Sequence, residues 1–248
     1  MSGHSKWHTI KHKKGAADAK RGKAFTRLIK ELTVAARSGG GDAASNPRLR
    51  TIIADAKANN MPRENIDRAI RRGTGEEPGV SYEEITYVGY GPGGVALLIQ
   101  SLTDNKNRTV GEIRHLLSKF NASLAAENSV AWMFHRKGQI VVDKVKADEE
   151  TLLSAALDAG ADDMNDDGGA WEIVCPPERF DGVRGAVASL GLEPTSASIA
   201  MIPQNYVKLH GRDAQQMLKL MDALDDHDDV QHVWANFDIE EKEIEALA

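Results

Sequence analysis

The chain has a single cysteine, Cys175, among 248 residues. One thiol excludes an internal disulfide and any zinc site made only of cysteines within one chain, and it fits a reducing compartment. Because Cys175 lies in the apolar run WEIVC, it reads as a buried strand residue rather than a nucleophile. Long apolar runs are also missing: nothing approaches the roughly 18 consecutive residues of a membrane span. Met1 is followed at once by polar residues, with no apolar core of a signal peptide. These absences predict a cytoplasmic protein. Catalytic signatures are missing too, with no HExxH, no GxSxG, no dinucleotide fingerprint and no paired carboxylates in a recognisable frame. Triads assemble from distant positions, so an unrecognised enzyme stays as the remoter alternative to a non-enzymatic protein without cofactor or metal.

What is present is charge, unevenly spread. The formal net charge is -6. Residues 1–72 nevertheless hold 17 basic against 6 acidic side chains, a net of +11, while the other 176 hold 14 against 31, a net of −17. Such a chain offers one end to a polyanion and turns the other away from it.

The periodicity predicts three short helices, then a change of period. Residues 1–14 show none and read as a tail that orders on binding. From Ala16 to Arg37, Phe25, Leu28, Ile29, Leu32, Ala35 and Ala36 share one helix face. Lys20, Lys23, Arg27, Lys30 and Arg37 share the opposite one, which is predicted to be wet, with Arg21 towards the apolar side. A second helix starts near Pro47, and a third runs from Pro62 to a stop at Gly73. GTGEEPG is then a linker. Strands follow over 82–88 and 95–102, joined by the turn GYGPGG. A helix over 109–120 and a strand over 130–134 come next. After Gly138 the order is strand, helix (149–159), acidic loop, strand (WEIVC), helix (180–190) and strand (196–202). It continues with strand (YVKLH), helix (213–224), a second acidic loop and strand (230–239). Two of these units repeat the order helix, Asp-rich turn, strand with Trp. The reading is an α+β fold: a small helical bundle followed by two α/β sandwiches of the split-βαβ type, one inserted in the other. The proposed units are 1–76, then 77–136 with 204–248, interrupted by 137–203.

The basic stripe carries the strongest chemical signal. Lys6, Lys11, Lys13, Lys14, Lys20, Lys23, Arg27 and Lys30 form an array of phosphate donors with few acids among them. It continues in Arg48, Arg50, Arg63, Arg68, Arg71 and Arg72. Its bland reading is a solvated face. Trp7 either stacks on a base or sugar or anchors the tail. His4, His8 and His12 recur at a spacing suited to zinc on a helix, but the lysines around them favour histidines that assist a phosphate contact. GYGPGG precedes a strand rather than a helix and reads as a structural turn. DMNDDG imitates the start of a calcium loop, yet its twelfth position is Val174 instead of glutamate. A further possibility is that the basic end docks on the acidic body of another copy or another protein. The basic helix offers little amide or carboxylate chemistry for base edges, which predicts weak sequence discrimination.

GHSKW from Gly3, KRGKAFTRLIKEL from Lys20, GGGD followed by NPRLR, YGPGGVALLIQSLTDNKNRT from Tyr90 and AMIP from Ala200 closely resemble the YebC/PmpR family over almost the whole chain. The resemblance implies a three-domain α/β protein with a helical N-terminal domain and a discontinuous middle one. It implies a DNA-binding transcriptional regulator or, after the family's mitochondrial relatives, a translational activator acting on ribosomal RNA or transfer RNA at the ribosome. The candidate contacts are Lys6, Trp7, His8, Lys11, Lys13, Lys14, Lys20, Arg21, Lys23, Arg27, Lys30, Arg48, Arg50, Arg71 and Arg72. A monomer without membrane contact is expected. DNKNRT, Asp104 to Thr109, matches the family without a derivable role; it is either a contact loop or a helix cap, with Asp104 or Asn105 as N-cap.

Overall fold

A computed structural model describes residues 17–247. The readings of the tail, including Lys6, Trp7, His8, Lys11, Lys13, Lys14 and the His4/His8/His12 spacing, lie outside the described residues.

The described residues begin with α1 (Ala17–Gly39), α2 (Pro47–Ala58) and α3 (Arg63–Thr74). Leu32, Ala35, Leu49, Ile52, Ala56, Ile66 and Ala69 meet in their shared core. Asn46 ties two of these helices together: it accepts from the Leu49 N–H at 3.1 Å and donates to the Ala35 and Gly40 carbonyls, each at 2.9 Å. One buried amide thus caps α2 and satisfies the end of α1. The third helix does not stop at Gly73. It runs on to Thr74, and Gly75, at φ 84, supplies the left-handed cap. Gly73 is needed for a different reason, since a Cβ there would lie 2.4 Å from the Thr33 carbonyl oxygen, where α3 crosses α1.

Then follow β1 (Glu83–Tyr90), β2 (Ala96–Thr103), α4 (Lys106–Lys119), β3 (Ser123–Leu124), β4 (Phe134–Asp143), α5 (Glu149–Asp158), β5 (Asp163–Asp166) and β6 (Ala170–Cys175). After these come α6 (Phe180–Ser189), β7 (Ser196–Pro203), β8 (Val207–Lys208), α7 (Gly211–Asp225), β9 (Val230–Ala235), β10 (Phe237–Asp238) and α8 (Glu241–Leu247). The fold is α+β, with two four-stranded antiparallel sheets. One has the order β3-β1-β2-β9 and the other β5-β6-β4-β7, so the first recruits a strand from beyond the whole second sheet. On one face of the first sheet Leu97, Ile99 and Val233 pack against Ile113 and Leu117 of α4 and Met217, Leu220 and Met221 of α7. In the second sheet Ile140, Val142, Trp171, Ile173 and Cys175 face α5 and α6. The turn at Gly91–Gly94 is structural: it lies on Leu209 and Met217, whose side chains would be met by a Cβ at Gly93 or Gly91.

Four local expectations are corrected. Residues 131–133 form a 3-10 turn, not a strand. Val130 and Phe134, four apart, enter one core while Trp132 is left 64% exposed, an arrangement that strand alternation forbids. The acidic loop at 163–166 is an edge strand held by β6; its carboxylates discourage further pairing along that edge. The predicted strand 230–239 breaks at Asn236, whose side chain accepts from the Ala96 N–H at 2.7 Å, so Phe237 and Asp238 pair instead with the two residues left of the predicted YVKLH strand. The helix α8 was not anticipated; it contributes the buried Ile244.

Candidate nucleic-acid interface

The expected wet face of α1 is covered from Lys23 to Lys30. The turn that follows α7, Asp225-Asp226-His227-Asp228-Asp229, lies against it. Lys23 reaches Asp226 at 3.2 Å and Arg27 reaches Asp225 at 3.1 Å, and each also donates to the backbone carbonyl of its partner. Lys30 goes deepest. Its ammonium donates to the Asp229 carboxylate at 2.8 Å, the Asp228 carbonyl at 2.9 Å and the Leu102 carbonyl at 3.4 Å. Three donors meet three acceptors, and the paired side chains are only 9% and 6% exposed. The sequence reading placed these cations in water because a lysine-rich face without apolar residues has no visible partner along the chain. The partner stands about 200 residues away in sequence. Arg37, on the same side, donates to Ser81 and to the Tyr82 carbonyl. Lys20 and Arg21 belong to α1, but their side chains lie outside the described ones.

Asp229 is the centre of this junction, and it gives the DNKNRT segment a role. Asn105 is the N-cap of α4, accepting from the Arg108 N–H at 3.1 Å. The cap starts α4 so that Arg108 and Thr109 face Asp229: the guanidinium donates to it at 2.7 Å and the Thr109 hydroxyl at 2.8 Å, while Thr103 donates at 3.2 Å. A register shift between β2 and β9 leaves Gln231 as the extra residue and lets the Asp229 carbonyl accept from the Leu102 N–H. Burial pushes the Asp229 carboxyl up, but hydrogen bonds from Lys30, Arg108 and Thr109 outweigh it and hold the group well below the usual carboxylate range. Arg108, which also pairs with Asp104, is held above its ordinary value by the same contacts.

The other candidates are spread over the bundle. Arg48 pairs with Glu84 at 2.9 Å and Arg71 with Glu77 at 2.6 Å. Arg50 donates to the Ala43 carbonyl at 3.1 Å. Arg72 is exposed, and its side chain has no hydrogen bond or ion pair among the described residues. Arg108 was missed as a charge partner because its role depends on Asp229; the visible signal was the run DDHDD, opposite in sign to α1.

Glu112, His227 and Asp229 bring potential metal-ligand atoms within 4.8 Å of one another. Their chemistry does not suit a cation. Both Asp229 oxygens are engaged by cationic donors, and His227 is used at both nitrogens: Nδ1 accepts from the Asp229 N–H at 3.1 Å, so Nε2 carries the proton directed at Glu112, 3.0 Å away. The cluster is a hydrogen-bonded brace between the turn and α4.

Comparison with known proteins covers nearly the whole chain. Residues 5–76 match the family described as the TACO1/YebC protein N-terminal domain, and residues 82–237 match the TACO1/YebC second and third domain. Among curated proteins, the chain is 58% identical to a protein of Koribacter versatilis over 100% of both chains, and 58% identical to one of Geobacter sulfurreducens, also over 100% of both. It is 59% identical to one of Acidobacterium capsulatum over 98% of each. All three are named as probable transcriptional regulatory proteins. A crystal structure of a conserved hypothetical protein from Aquifex aeolicus superposes with a TM-score of 0.83 at 44% identity, covering 93% of this chain and 96% of that one.

Proposed function

Because the chain belongs to the TACO1/YebC family, we propose that it is a non-enzymatic, nucleic-acid-binding regulator of gene expression, with DNA as the first partner. One observation carries the reading: an excess of +11 in residues 1–72 of a chain whose remainder holds −17. Lysines and arginines in that number neutralise phosphates and release counterions. The contacts position the protein on a backbone without reading bases. The acidic body, repelled by the same backbone, sets the orientation.

A second reading has its own support. With Lys23, Arg27 and Lys30 turned to the body, the described side chains of α1 present no open cationic face to insert into a major groove in this arrangement. That favours a partner met by shape and phosphates, such as ribosomal RNA or transfer RNA, and a translation factor rather than an operator-specific regulator.

Sedimentation of a lysate through a sucrose gradient, with and without nuclease, separates the two. Co-migration with ribosomes supports the translation factor; recovery of specific promoter fragments by crosslinking, with the protein at the top of the gradient, supports the transcriptional regulator. Binding of a labelled nucleic acid should weaken with salt at a log-log slope near −5 if about six phosphates are engaged. A slope near zero would remove the electrostatic basis of both.

A further inference from the structure

The turn Asp225–Asp229 presents to α1 what a nucleic-acid backbone would present. It has four carboxylates in five residues, and the carbonyls of Asp225, Asp226 and Asp228 also accept from the helix cations. Lys23, Arg27 and Lys30 each end on it, one after another along the helix. The contacts fall into two tiers. The inner one, Lys30 with Asp229, is buried and completely hydrogen-bonded. The outer two are less enclosed: the Lys23 and Asp226 side chains are 28% and 78% exposed, and those of Arg27 and Asp225, half-buried, are 21% and 27% exposed. Solvent reaches the Lys23 pair and screens it, and the Arg27 pair is less enclosed than the inner one, so exchanging these two carboxylates for phosphates costs less than opening Lys30 and Asp229. The inner pair would have to bury an unpaired charge to open.

We propose that the 225–229 turn is an internal competitor for the polyanion: Asp225 and Asp226 occupy Lys23 and Arg27 in the free protein and give them up when a nucleic-acid backbone arrives, while Lys30 and Asp229 stay closed and keep the helix on the body. The inference rests on the reading of α1 as a phosphate-binding helix. It makes the acidic turn a filter. A short or weakly charged anion does not displace two carboxylates held at high local concentration, whereas a continuous backbone does.

The test compares three full-length variants with the parent, each checked for unchanged circular dichroism, by fluorescence anisotropy with a labelled mixed-sequence DNA duplex and a labelled mixed-sequence RNA. D225N/D226N removes the competitor. D158N/E193Q removes two exposed carboxylates of the second-sheet region and corrects for the general effect of net charge. K23Q/R27Q removes the phosphate donors. The expected result is about 3- to 10-fold tighter binding by D225N/D226N than by D158N/E193Q, with K23Q/R27Q weaker than the parent. Hydrogen exchange should also rise across residues 225–228 of the parent when the probe binds, and stay slow at Leu102. D225N/D226N binding no tighter than D158N/E193Q, while K23Q/R27Q weakens, overturns the competitor and spares the phosphate-binding reading. Unaltered binding by K23Q/R27Q overturns that reading itself, and the proposal with it.

Discussion

Replacing Asp229 by alanine should be among the costliest single changes in the molecule. The substitution strips Lys30 of the only carboxylate it meets among the described residues, at a site where the lysine side chain is 9% exposed. Removing one member of a buried pair costs about 3–5 kcal/mol, because the other charge stays buried and uncompensated. Arg108 adds little: its side chain is 43% exposed and keeps Asp104 at 2.9 Å, so solvent screens most of what it loses. Thr109 keeps the Asn105 carbonyl at 3.1 Å. Lys30→Met should cost less, since Asp229 retains Arg108, Thr103 and Thr109. The double variant should then fall short of the summed single losses by about 1–3 kcal/mol, the coupling of two groups in direct contact. The assay is urea unfolding by circular dichroism, paired with proteolysis of residues 75–81, because opening of the helical bundle need not coincide with melting of the sheets. The pH dependence has a definite sign. A carboxyl held below its ordinary value in the fold stabilises above roughly pH 4 and loses that contribution only as the pH falls further. The acid limb of the stability profile should therefore flatten in the variant, with little change between about pH 5 and 8. A loss under about 1 kcal/mol, or strict additivity with K30M, would refute the buried-pair argument.

Gly73→Ala should destabilise in urea titration by about 1–3 kcal/mol despite alanine's better helix propensity, because its Cβ would meet the Thr33 carbonyl at 2.4 Å; a gain in stability would refute the close helix crossing. Asn46→Ala should cost about 2 kcal/mol by the same assay, through the lost cap of α2 and the lost bonds to the Ala35 and Gly40 carbonyls at the end of α1. A loss of only a few tenths would show the cap to be replaceable. Asp55 behaves oppositely to Asp229. Its carboxyl, on a residue that is exposed overall, is pushed up by local desolvation and then by Glu31, against weaker pulls from Arg184 and His232. Its ionised form therefore costs stability as the pH rises above roughly 4. Asp55→Asn should raise the melting temperature near neutral pH and leave it unchanged in acid, and a lower neutral melting temperature would contradict this. Cys175 is fully buried, and burial pushes its thiol up, so Ellman's reagent should react with it only after denaturant is added. Rapid reaction in the native protein would place the thiol outside the core.

Local patterns in the chain were enough for most elements, because a helix face or strand alternation is written in residues a few positions apart. The three N-terminal helices, the hairpin around Gly91–Gly94, the helices at 149–158, 180–189 and 211–225 and the burial of Cys175 are of this kind. So is the concentration of positive charge before residue 73, which follows from composition alone. Where a residue's partner is remote, local pattern misled or stayed silent. Asp163–Asp166 became a strand only because β6 supplied a ladder, and Asn236 broke a continuous-looking strand by bonding to Ala96. The same limit governs the candidate interface. The charge of α1 was plain in the sequence, but its surroundings were not: one side chain is solvated or buried according to what the fold sets opposite it. Packing the bundle against the end of the first sheet places Asp225–Asp229 over Lys23, Arg27 and Lys30. Tertiary structure alone decided that the protein's own acidic turn meets the basic helix, because a charge–charge contact depends on distance in space and not on separation along the chain.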